Sequence, residues 1–535
     1  MVLLIDFSQI NLLIVPRSQN SHTMNISLSS FREKIIPLSA AALVTTFHLA
    51  TLKGFPAPFV DEIWYVARAW GYIQSGVPFG PLDRGTIEHF QGYWTYYLRL
   101  PTMLHALALR VIGQPDLIPL RITSLLFGAL LLVAVFSLGK TVGGKQLGQL
   151  SMLLTALSAP FLTSAHMART DIMAAALSFS ALAIYFSHPK HSQWNFLAGI
   201  IAGLAIEFHP NSVIFIPLIP ALMFIEQRLQ TLKHKPFWSF IGGAVAGTSI
   251  YFWLHVFPYP QTYFAINRTI FPTHTPPLLT LNLRTILRAF VDTFLMLLYA
   301  YQPLFPLIAW VTCNAILHLT PTPQRKFAWS TLLLALGFTL TVRNKFLYYA
   351  VLITPALDIL LGDFLLRFAK RKFTPSLKGY LQQTFVWGTL IGAFALNLSV
   401  LKFDFWNDYQ YALQNLREVV QPEETIMGAQ VYWLAFPNNP YYSWEELAYY
   451  QQYKPGATWL EALYTYKPEI FILDYFLDVY LTSSDEPSDF YESFHSLPRG
   501  EVEAFLANHA DEIASFDAGY YGNIRVYKIH WNSSE

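Results

Sequence analysis

Two adjacent carboxylates, Asp61 and Glu62, begin the segment DEIWYVARAWGYIQSG, just past the first long apolar stretch of the sequence. A membrane enzyme must place its ionisable groups at a face that water reaches, and paired carboxylates there can perform acid–base chemistry or hold a metal. The ordinary alternative is a charge pair at a helix N-terminus, where the helix dipole favours acidic side chains. The chemistry of the pair therefore depends on the groups that other segments bring to it.

Further charges lie at the ends of apolar segments. Asp171 and Arg169 share the short turn HMARTD between two such segments. An ionised carboxylate there is costly unless it is paired or hydrated, so Arg169 is its predicted partner. Arg343 and Lys345 add two positive charges near another segment end, and a phosphate held at the bilayer surface would explain them.

Histidines and one further carboxylate raise the question of a metal. Glu88 and His274 are the candidate ligands, since carboxylate and imidazole suit zinc or manganese. Glu88 and His89 are adjacent, and neighbours rarely ligate one ion, so hydrogen bonding within their loop is the alternative. His166 lies at a segment end, where a satisfied polar role competes with substrate binding. The cofactor is therefore unknown, and a divalent metal stays open.

The composition indicates the class of protein that positions these groups. Hydrophobic residues make up 53% of the 535 residues and charged residues only 13%, with a mean hydropathy of +0.34, which is typical of a polytopic membrane protein. The formal net charge of +1 provides no field that would attract nucleic acid. The single cysteine, Cys313, excludes a disulfide framework. Neither GxGxxG nor GxxxxGK[ST] occurs, so nothing suggests a nucleotide-driven pump.

Apolar runs of about twenty residues predict membrane spans. They lie near residues 35–53, 118–138, 147–165, 172–187, 194–208, 212–227, 237–257, 290–318, 327–342, 346–366 and 381–401. With the N-terminus in the cytoplasm, five basic loops also fall on the cytoplasmic side, as the positive-inside rule requires. These loops are 140–145, 190–191, 228–235, 325–326 and 367–378. Eleven spans then place the candidate site groups and the C-terminus on the outer side of the plasma membrane.

The segment YWTYYLRLPTMLHALALRVIG is not counted as a span. It carries Arg99, His105 and Arg110, and counting it would invert every later loop. We therefore expect in-plane or re-entrant helices in an outer-face loop, residues 54–117. Residues 1–34 form a cytoplasmic leader without the features of a secretory signal, and Met24 is an alternative start.

Composition changes after residue 401. Strand-like runs ETIMGAQ, PEIFILD and NIRVYKI alternate with the helical patterns YQYALQNLREVV, SWEELAYYQQ and EVEAFLANHA. Residues 402–535 therefore predict a small extracytoplasmic α/β domain beyond the transmembrane part, residues 35–401.

The combined order of these motifs resembles a known family. An outer-face DE after the first span, an E-x-x-x-G-Y-W stretch (Glu88 to Trp94), an R-x-D turn and a C-terminal α/β domain are similar to the GT-C membrane glycosyltransferases. The resemblance is greatest to the protein O-mannosyltransferase and lipid A aminoarabinose transferase group, glycosyltransferase family 39. It implies an enzyme that moves a hexosyl or pentosyl group from a polyprenyl-phosphate carrier to a lipid or protein acceptor, with inversion.

The resemblance also implies roles for individual residues. Asp61 would be the base that activates an acceptor hydroxyl, and Glu62 would organise the site beside it. Asp171 with Arg169 would hold the sugar or orient the first loop. Arg343 and Lys345 would bind the carrier phosphate and stabilise the charge that develops on it.

The sequence departs from the aminoarabinose branch in two places. Trp64 stands where that branch has an arginine, and EHFQ replaces its Glu-Lys-Pro, so that His89 would replace the lysine and the acceptor cannot be copied across. Two other classes stay open. A transporter or flippase of lipid-linked sugar would use the acidic groups as a proton relay. It would show symmetric halves and broken mid-membrane helices, whereas the acidic groups here lie at one face only. A non-catalytic scaffold would leave Asp171, Arg343 and Lys345 unexplained.

Overall fold

A computed structural model describes residues 44–85, 98–269, 276–317, 323–370, 376–399, 405–482 and 497–531. The chain forms two compact units, Met1–Thr51 and Leu52–Glu535. Of the first, residues 44–51 are helical. The second contains all the elements below.

Most of the second unit is helical. Its helices before residue 400 are α1 Val60–Ser75, α2 Arg99–Ile112, α3 Ile118–Gly143, α4 Lys145–Ala156, α5 Ala159–His166, α6 Asp171–Ser187, α7 Ser192–Leu204, α8 Phe215–Gln227, α9 Lys235–Tyr251, α10 Pro260–Thr269, α11 Leu283–Tyr301, α12 Phe305–Leu317, α13 Pro323–Thr341, α14 Thr354–Lys370 and α15 Leu377–Ser399. The predicted apolar segments from residue 118 onward all coincide with helical stretches.

Four helical stretches of the described residues are long and apolar enough to cross a membrane. They are Ile118–Gly143, Pro210–Lys233, Lys235–Val256 and Leu283–Ala315, and the bent pair α4–α5 would add a fifth. The chain is therefore an integral membrane protein. The number of eleven spans, with the sidedness derived from it, stays a prediction.

Helices α7 and α9 pack at very short range because both present small residues. A Cβ atom built on Gly199 or Gly203 would come within 2.5 Å of a backbone oxygen of α9. A Cβ atom built on Gly243 or Gly247 would likewise come too close to a backbone oxygen of α7. Glycines spaced by four on facing helices allow the backbones to approach closely, which is a common way to associate helices inside a bilayer. Alanine at these positions would push the two helices apart.

Three of the predicted spans are broken. Helices α4 and α5 meet at 65°, a 3-10 turn Gln302–Leu304 separates α11 from α12, and a 3-10 segment Leu347–Leu352 precedes α14. A proline lies within or just after each break, because proline lacks a backbone N–H and disfavours helical geometry in the residue before it. The prolines are Pro160, Pro303 and Pro355.

Helix α2 has the form of an in-plane helix. Its 14 residues extend roughly 21 Å, too short for a hydrocarbon core of about 30 Å. Leu107 and Val111 are 63% and 83% exposed, whereas His105 and Leu109 are buried. One face is thus apolar and uncovered in the chain, as the predicted interfacial location requires.

The C-terminal part contains a five-stranded sheet in the order β2-β1-β3-β7-β6. Its elements are α16 Phe405–Val419, β1 Ile426–Gly428, β2 Tyr441–Ser443, α17 Glu446–Tyr453, α18 Trp459–Tyr466, β3 Ile470–Leu473, α19 Tyr475–Tyr480, the strand pair β4 Leu481–Thr482 and β5 Leu497–Pro498, α20 Arg499–His509, β6 Ala510–Asp517 and β7 Asn523–Ile529. Strand β1 pairs in parallel with β2 and β3, whereas β7 is antiparallel to β3 and β6. The three predicted strands and three predicted helices are confirmed.

This α/β part shares a hydrophobic core with α1. Ile63 and Trp64 of α1 belong to the same buried cluster as Tyr432 and Val526. The Tyr521 hydroxyl also donates to the Pro58 carbonyl oxygen, at 2.9 Å. Helix α1, which carries Asp61, is therefore fixed by the C-terminal part as well as by the membrane helices.

Glu445, at the start of α17, gives this part a pH-dependent stability. Burial raises the pKa of Glu445 from 4.5 to about 7, and the hydrogen bond from the Tyr449 hydroxyl at 3.1 Å opposes this only in part. Since the folded protein holds the proton more tightly than the unfolded chain, the stabilisation is full below about pH 4.5 and is lost as the pH rises through about 7.

We expect wild type to lose roughly 3 kcal/mol relative to Glu445→Gln between these limits, because one pKa unit corresponds to about 1.4 kcal/mol. The measurement is thermal unfolding of both proteins in detergent across the pH range. Parallel curves for wild type and Glu445→Gln would contradict the assignment.

Candidate active site

Arg169 joins two of the predicted site carboxylates. Its Nη1 donates to Asp61 Oδ2, and its Nε donates to Asp171 Oδ2 at 2.8 Å. Asp171 and Arg169 are 0% and 4% exposed, whereas Asp61 is 27% exposed. The predicted Arg169–Asp171 pair is therefore present, and Asp61 is the member of the group that solvent or a substrate can reach.

Glu62 is saturated with hydrogen bonds. Arg121 donates to both of its carboxylate oxygens, from Nε at 2.9 Å and from Nη2 at 2.8 Å. The backbone N–H groups of Ala168 and Phe59 donate as well, at 2.6 and 3.0 Å. Glu62 is also 0% exposed, so a substrate does not reach it. Glu62 therefore ties α1 to α3 and to the turn that carries Arg169, which is an organising role.

His209 completes the surroundings of Asp171. Its Nδ1 accepts the backbone N–H of Asn211 at 3.2 Å, so its other ring nitrogen carries the proton. That nitrogen, Nε2, lies 3.3 Å from Asp171 Oδ1. Burial lowers the pKa of His209, and the Asp171 charge opposes this shift. Asp171 is also the first residue of α6, where the helix dipole stabilises its negative charge.

Tyr348 covers Arg169 from the other side. The guanidinium carbon lies 3.9 Å from the centre of the Tyr348 ring, within the range of a cation–π contact. The Ser164 hydroxyl of α5 donates to the Tyr348 carbonyl oxygen at 2.9 Å. Tyr348 therefore has a contact inside the site.

The other predicted site residues lie in different surroundings. His166 is buried, with Nδ1 3.2 Å from the Phe55 carbonyl oxygen. Lys345 donates from Nζ to the carbonyl oxygens of Thr339, at 3.2 Å, and Val342, and burial lowers its pKa to about 8. It thus covers the C-terminal end of α13, where a cation is favoured. Arg343 is half-buried.

Glu88, His89 and His274 lie outside the described residues, so the roles predicted for them stay predictions. Within the part of the chain that the structure describes, no group of three or more His, Cys, Asp or Glu side chains could hold a metal ion. Whether a divalent metal binds therefore stays open, as it is from the sequence.

The arrangement suits proton abstraction at Asp61. The buried members, Glu62 and Asp171, are each fixed by an arginine, and Asp61 is the partly exposed carboxylate that pairs with the Arg169 guanidinium. Three carboxylates face two guanidinium groups, so this cluster has a formal charge of −1 when His209 is neutral. A phosphate would need cations from elsewhere. Lys345 is three residues from Tyr348, hence within about 11 Å along the backbone.

Sequence reasoning missed Arg121, the partner of Glu62. The available signal was a lone arginine in the first turn of an otherwise apolar span, in IPLRITSLLF. Such a charge is expensive in a membrane and implies a buried partner. His209 was not among the predicted site residues either, although its second ring nitrogen faces Asp171.

Comparison with known structures shows the fold to be that of the GT-C membrane glycosyltransferases. The chain superimposes on ArnT from Cupriavidus metallidurans, in its crystal structure bound to undecaprenyl phosphate, with a TM-score of 0.59, 13% sequence identity, and coverage of 94% of this chain and 98% of ArnT. The archaeal oligosaccharyltransferase AglB from Archaeoglobus fulgidus, in complex with an inhibitory peptide and a dolichol-phosphate, matches with a TM-score of 0.52, 12% identity, and coverage of 94% and 75%.

The sequence itself matches one family model over part of its length. The model for dolichyl-phosphate-mannose-protein mannosyltransferase matches residues 100–253. A comparison with curated proteins found no match. The resemblance inferred from the motifs is thus confirmed by the family model and by the fold.

Proposed function

We propose that this protein is a membrane glycosyltransferase that takes a sugar from a polyprenyl-phosphate carrier and passes it to an acceptor hydroxyl. The observation that carries the proposal is the environment of Asp61: a partly exposed carboxylate, held by a buried arginine, beside two buried carboxylates that are each paired with an arginine. The GT-C fold and the match to a mannosyltransferase family model support it. ArnT and AglB were each solved with a polyprenyl-type phosphate, which supports the same class of donor.

The reaction follows from one base and one leaving group. Asp61 takes the proton of the acceptor hydroxyl while the acceptor oxygen attacks the anomeric carbon. The bond from that carbon to the phosphate oxygen breaks, and polyprenyl phosphate leaves with the electron pair. A single direct displacement inverts the anomeric configuration. Arg169 holds Asp61 in place, and Glu62 with Arg121 holds the helix that presents it.

We propose that Arg343 and Lys345 meet the charge of the leaving phosphate. The carboxylate cluster is itself net negative, so a phosphate requires cations at its edge. Lys345 is already turned toward the end of α13, and its lowered pKa reflects partial burial.

Replacing both Arg343 and Lys345 with Gln should raise the KM for the donor by about tenfold or more, since charge-assisted bonds to phosphate are lost. The KM for the acceptor should stay unchanged. Arg367→Gln is the matched control, because Arg367 is 61% exposed and pairs with Asp363 on its own helix. Equal weakening of donor and acceptor would show that the two residues do not hold the phosphate.

We propose that the site faces the outer side of the plasma membrane. This rests on eleven spans, a cytoplasmic leader over residues 1–34, a transmembrane domain over residues 35–401 and an extracytoplasmic domain over residues 402–535. The charge distribution of the loops supports this order. The acceptor, whether lipid or protein, would then belong to the cell envelope.

The function can be tested in cells. Mass spectrometry of extracytoplasmic lipids and proteins should show one glycosylated species in wild type that is absent after deletion of the gene and restored by the intact gene. Restoration by an Asp61→Asn copy at wild-type level would overturn the proposal.

A further inference from the structure

A buried carboxylate lies away from the carboxylate cluster, inside the predicted span 346–366. Asp358 is in the second turn of α14 and is 1% exposed. In the described part of the chain no Lys, Arg or His forms an ion pair with it, in contrast to Asp61, Glu62 and Asp171. An ionised carboxylate without a cation in such surroundings is very costly.

The neighbours of Asp358 are hydroxyl groups. Thr155 Oγ1 of α4 donates to Asp358 Oδ2 at 2.9 Å. The Tyr301 hydroxyl of α11 lies 3.0 Å from Asp358 Oδ1 and 3.1 Å from the Thr354 carbonyl oxygen. The three side chains therefore connect three helices through one carboxyl group.

The number of protons available to these contacts differs between the ionised and the protonated form of the Asp358 carboxyl group. Tyr301 has one hydroxyl proton, yet two oxygens lie within hydrogen-bond distance of it, and the Thr354 carbonyl can only accept. If Asp358 is ionised, the single Tyr301 proton can satisfy only one of the two oxygens, Asp358 Oδ1 or the Thr354 carbonyl oxygen, and the other contact has no proton. If Asp358 is protonated, it donates to the Tyr301 oxygen, Tyr301 donates to Thr354, and Thr155 donates to Oδ2. Every contact then has one proton.

The group lies where the three helix breaks meet. Thr155 is next to the last residue of α4, Tyr301 is the last residue of α11, and Thr354 is the first residue of α14. Gln302, just after Tyr301, has a positive φ of 46°, which costs energy for a residue with a side chain. Irregular backbone at membrane depth persists only where neighbouring groups satisfy it. Proline creates the breaks, and the hydroxyl–carboxyl contacts hold their ends together.

We propose that Asp358 is a proton-binding site: a neutral carboxylic acid that donates to Tyr301 and so joins the three broken helices. The joined ends include the start of α14, which follows the 3-10 segment Leu347–Leu352 with Tyr348 over Arg169. The site does not depend on the proposed transferase reaction.

The protonation state can be measured directly by infrared spectroscopy of the purified protein at neutral pH. The difference spectrum of wild type minus Asp358→Asn should contain the carbonyl band of a protonated carboxylic acid, shifted in D₂O. The matched control is Asp363→Asn on the same helix, because Asp363 is ion-paired with Arg367 at 2.6 Å; its difference spectrum should contain carboxylate bands. Carboxylate bands for Asp358 would overturn the proposal.

Stability provides a second test. An Asn side chain can donate to Tyr301 and accept from Thr155, so Asp358→Asn should keep the wild-type half-life at elevated temperature. Asp358→Ala and Tyr301→Phe should each shorten it by about tenfold or more, because each leaves buried polar groups unpaired. If Asp358→Ala does not fold, Tyr301→Phe alone decides. A half-life for Asp358→Asn as short as that of Tyr301→Phe would contradict a donating acid.

Discussion

Asp61→Asn is expected to leave a folded, membrane-inserted protein that has lost at least about 10³-fold of its transfer rate, near the upper part of the range for a general base. Asparagine keeps the shape of the side chain but cannot take the acceptor proton. Folding should survive because Arg169 retains Asp171 as its buried partner. The measurement is initial transfer rate with purified protein, alongside thermal unfolding of the same sample.

The control for this variant is Asp511→Asn, since Asp511 is 75% exposed in the C-terminal part and pairs with the exposed His530. It changes the same functional group at a distance from the cluster and should retain full activity. If Asp61→Asn turns over at the wild-type rate, the base is another group. If it loses activity only together with its melting transition, Asp61 has a structural role.

The second large effect concerns stability. Arg121→Gln should destabilise the protein by about 3–5 kcal/mol, because it leaves Glu62 buried without its cation. It also removes the donors to the carbonyl oxygens of Leu52 and Pro56, which are 3.0 Å from the guanidinium nitrogens. The check is the unfolding temperature and the half-life in detergent, which should both fall clearly below wild type.

Arg110→Gln is the matched control, because Arg110 is exposed on α2, and it should change stability by no more than about 0.5 kcal/mol. The double variant Glu62→Gln with Arg121→Gln should be less unstable than the sum of the two single variants, since the unpaired charge is gone. Additive losses would show that the two side chains do not act as a pair.

Much of the fold was predictable because apolar length and Lys/Arg position are direct physical signals. Segments 118–138 and 172–187 became α3 and α6 with nearly the predicted ends. The breaks were harder. Pro160, Pro303 and Pro355 were visible in the sequence, but whether a proline bends a span or only begins a new helix depends on the neighbours that satisfy the freed backbone groups.

The C-terminal part shows the same limit. Strands β1, β3 and β7 stood out as β-branched, apolar runs, whereas β6 begins at Ala510, the residue that ended a predicted helical pattern. ADEIASFD contains only exposed and half-buried positions at the sheet edge. Pairing with β7 therefore creates the strand, and local propensity does not.

Within the candidate site, the Arg169–Asp171 pair followed from the cost of an unpaired charge between spans. The partner of Glu62 could not be read in the same way, because Arg121 is 59 residues away and only the packing of α1 on α3 brings the two together. The role of Tyr348 depended likewise on a tertiary contact. Local patterns identify charged groups that need partners, and the fold decides which partners they receive.

We propose that this protein transfers the sugar of a polyprenyl-phosphate carrier with Asp61 as the base. The most direct measurement uses purified protein in lipid vesicles with a panel of undecaprenyl-phosphate sugars and an extract of envelope acceptors, and follows release of undecaprenyl phosphate. We expect wild type and Asp511→Asn to release undecaprenyl phosphate only when both one sugar donor and the acceptor are present. Asp61→Asn should not release it. Release by Asp61→Asn at the wild-type rate, or vectorial movement of intact donor without release, would contradict this proposal.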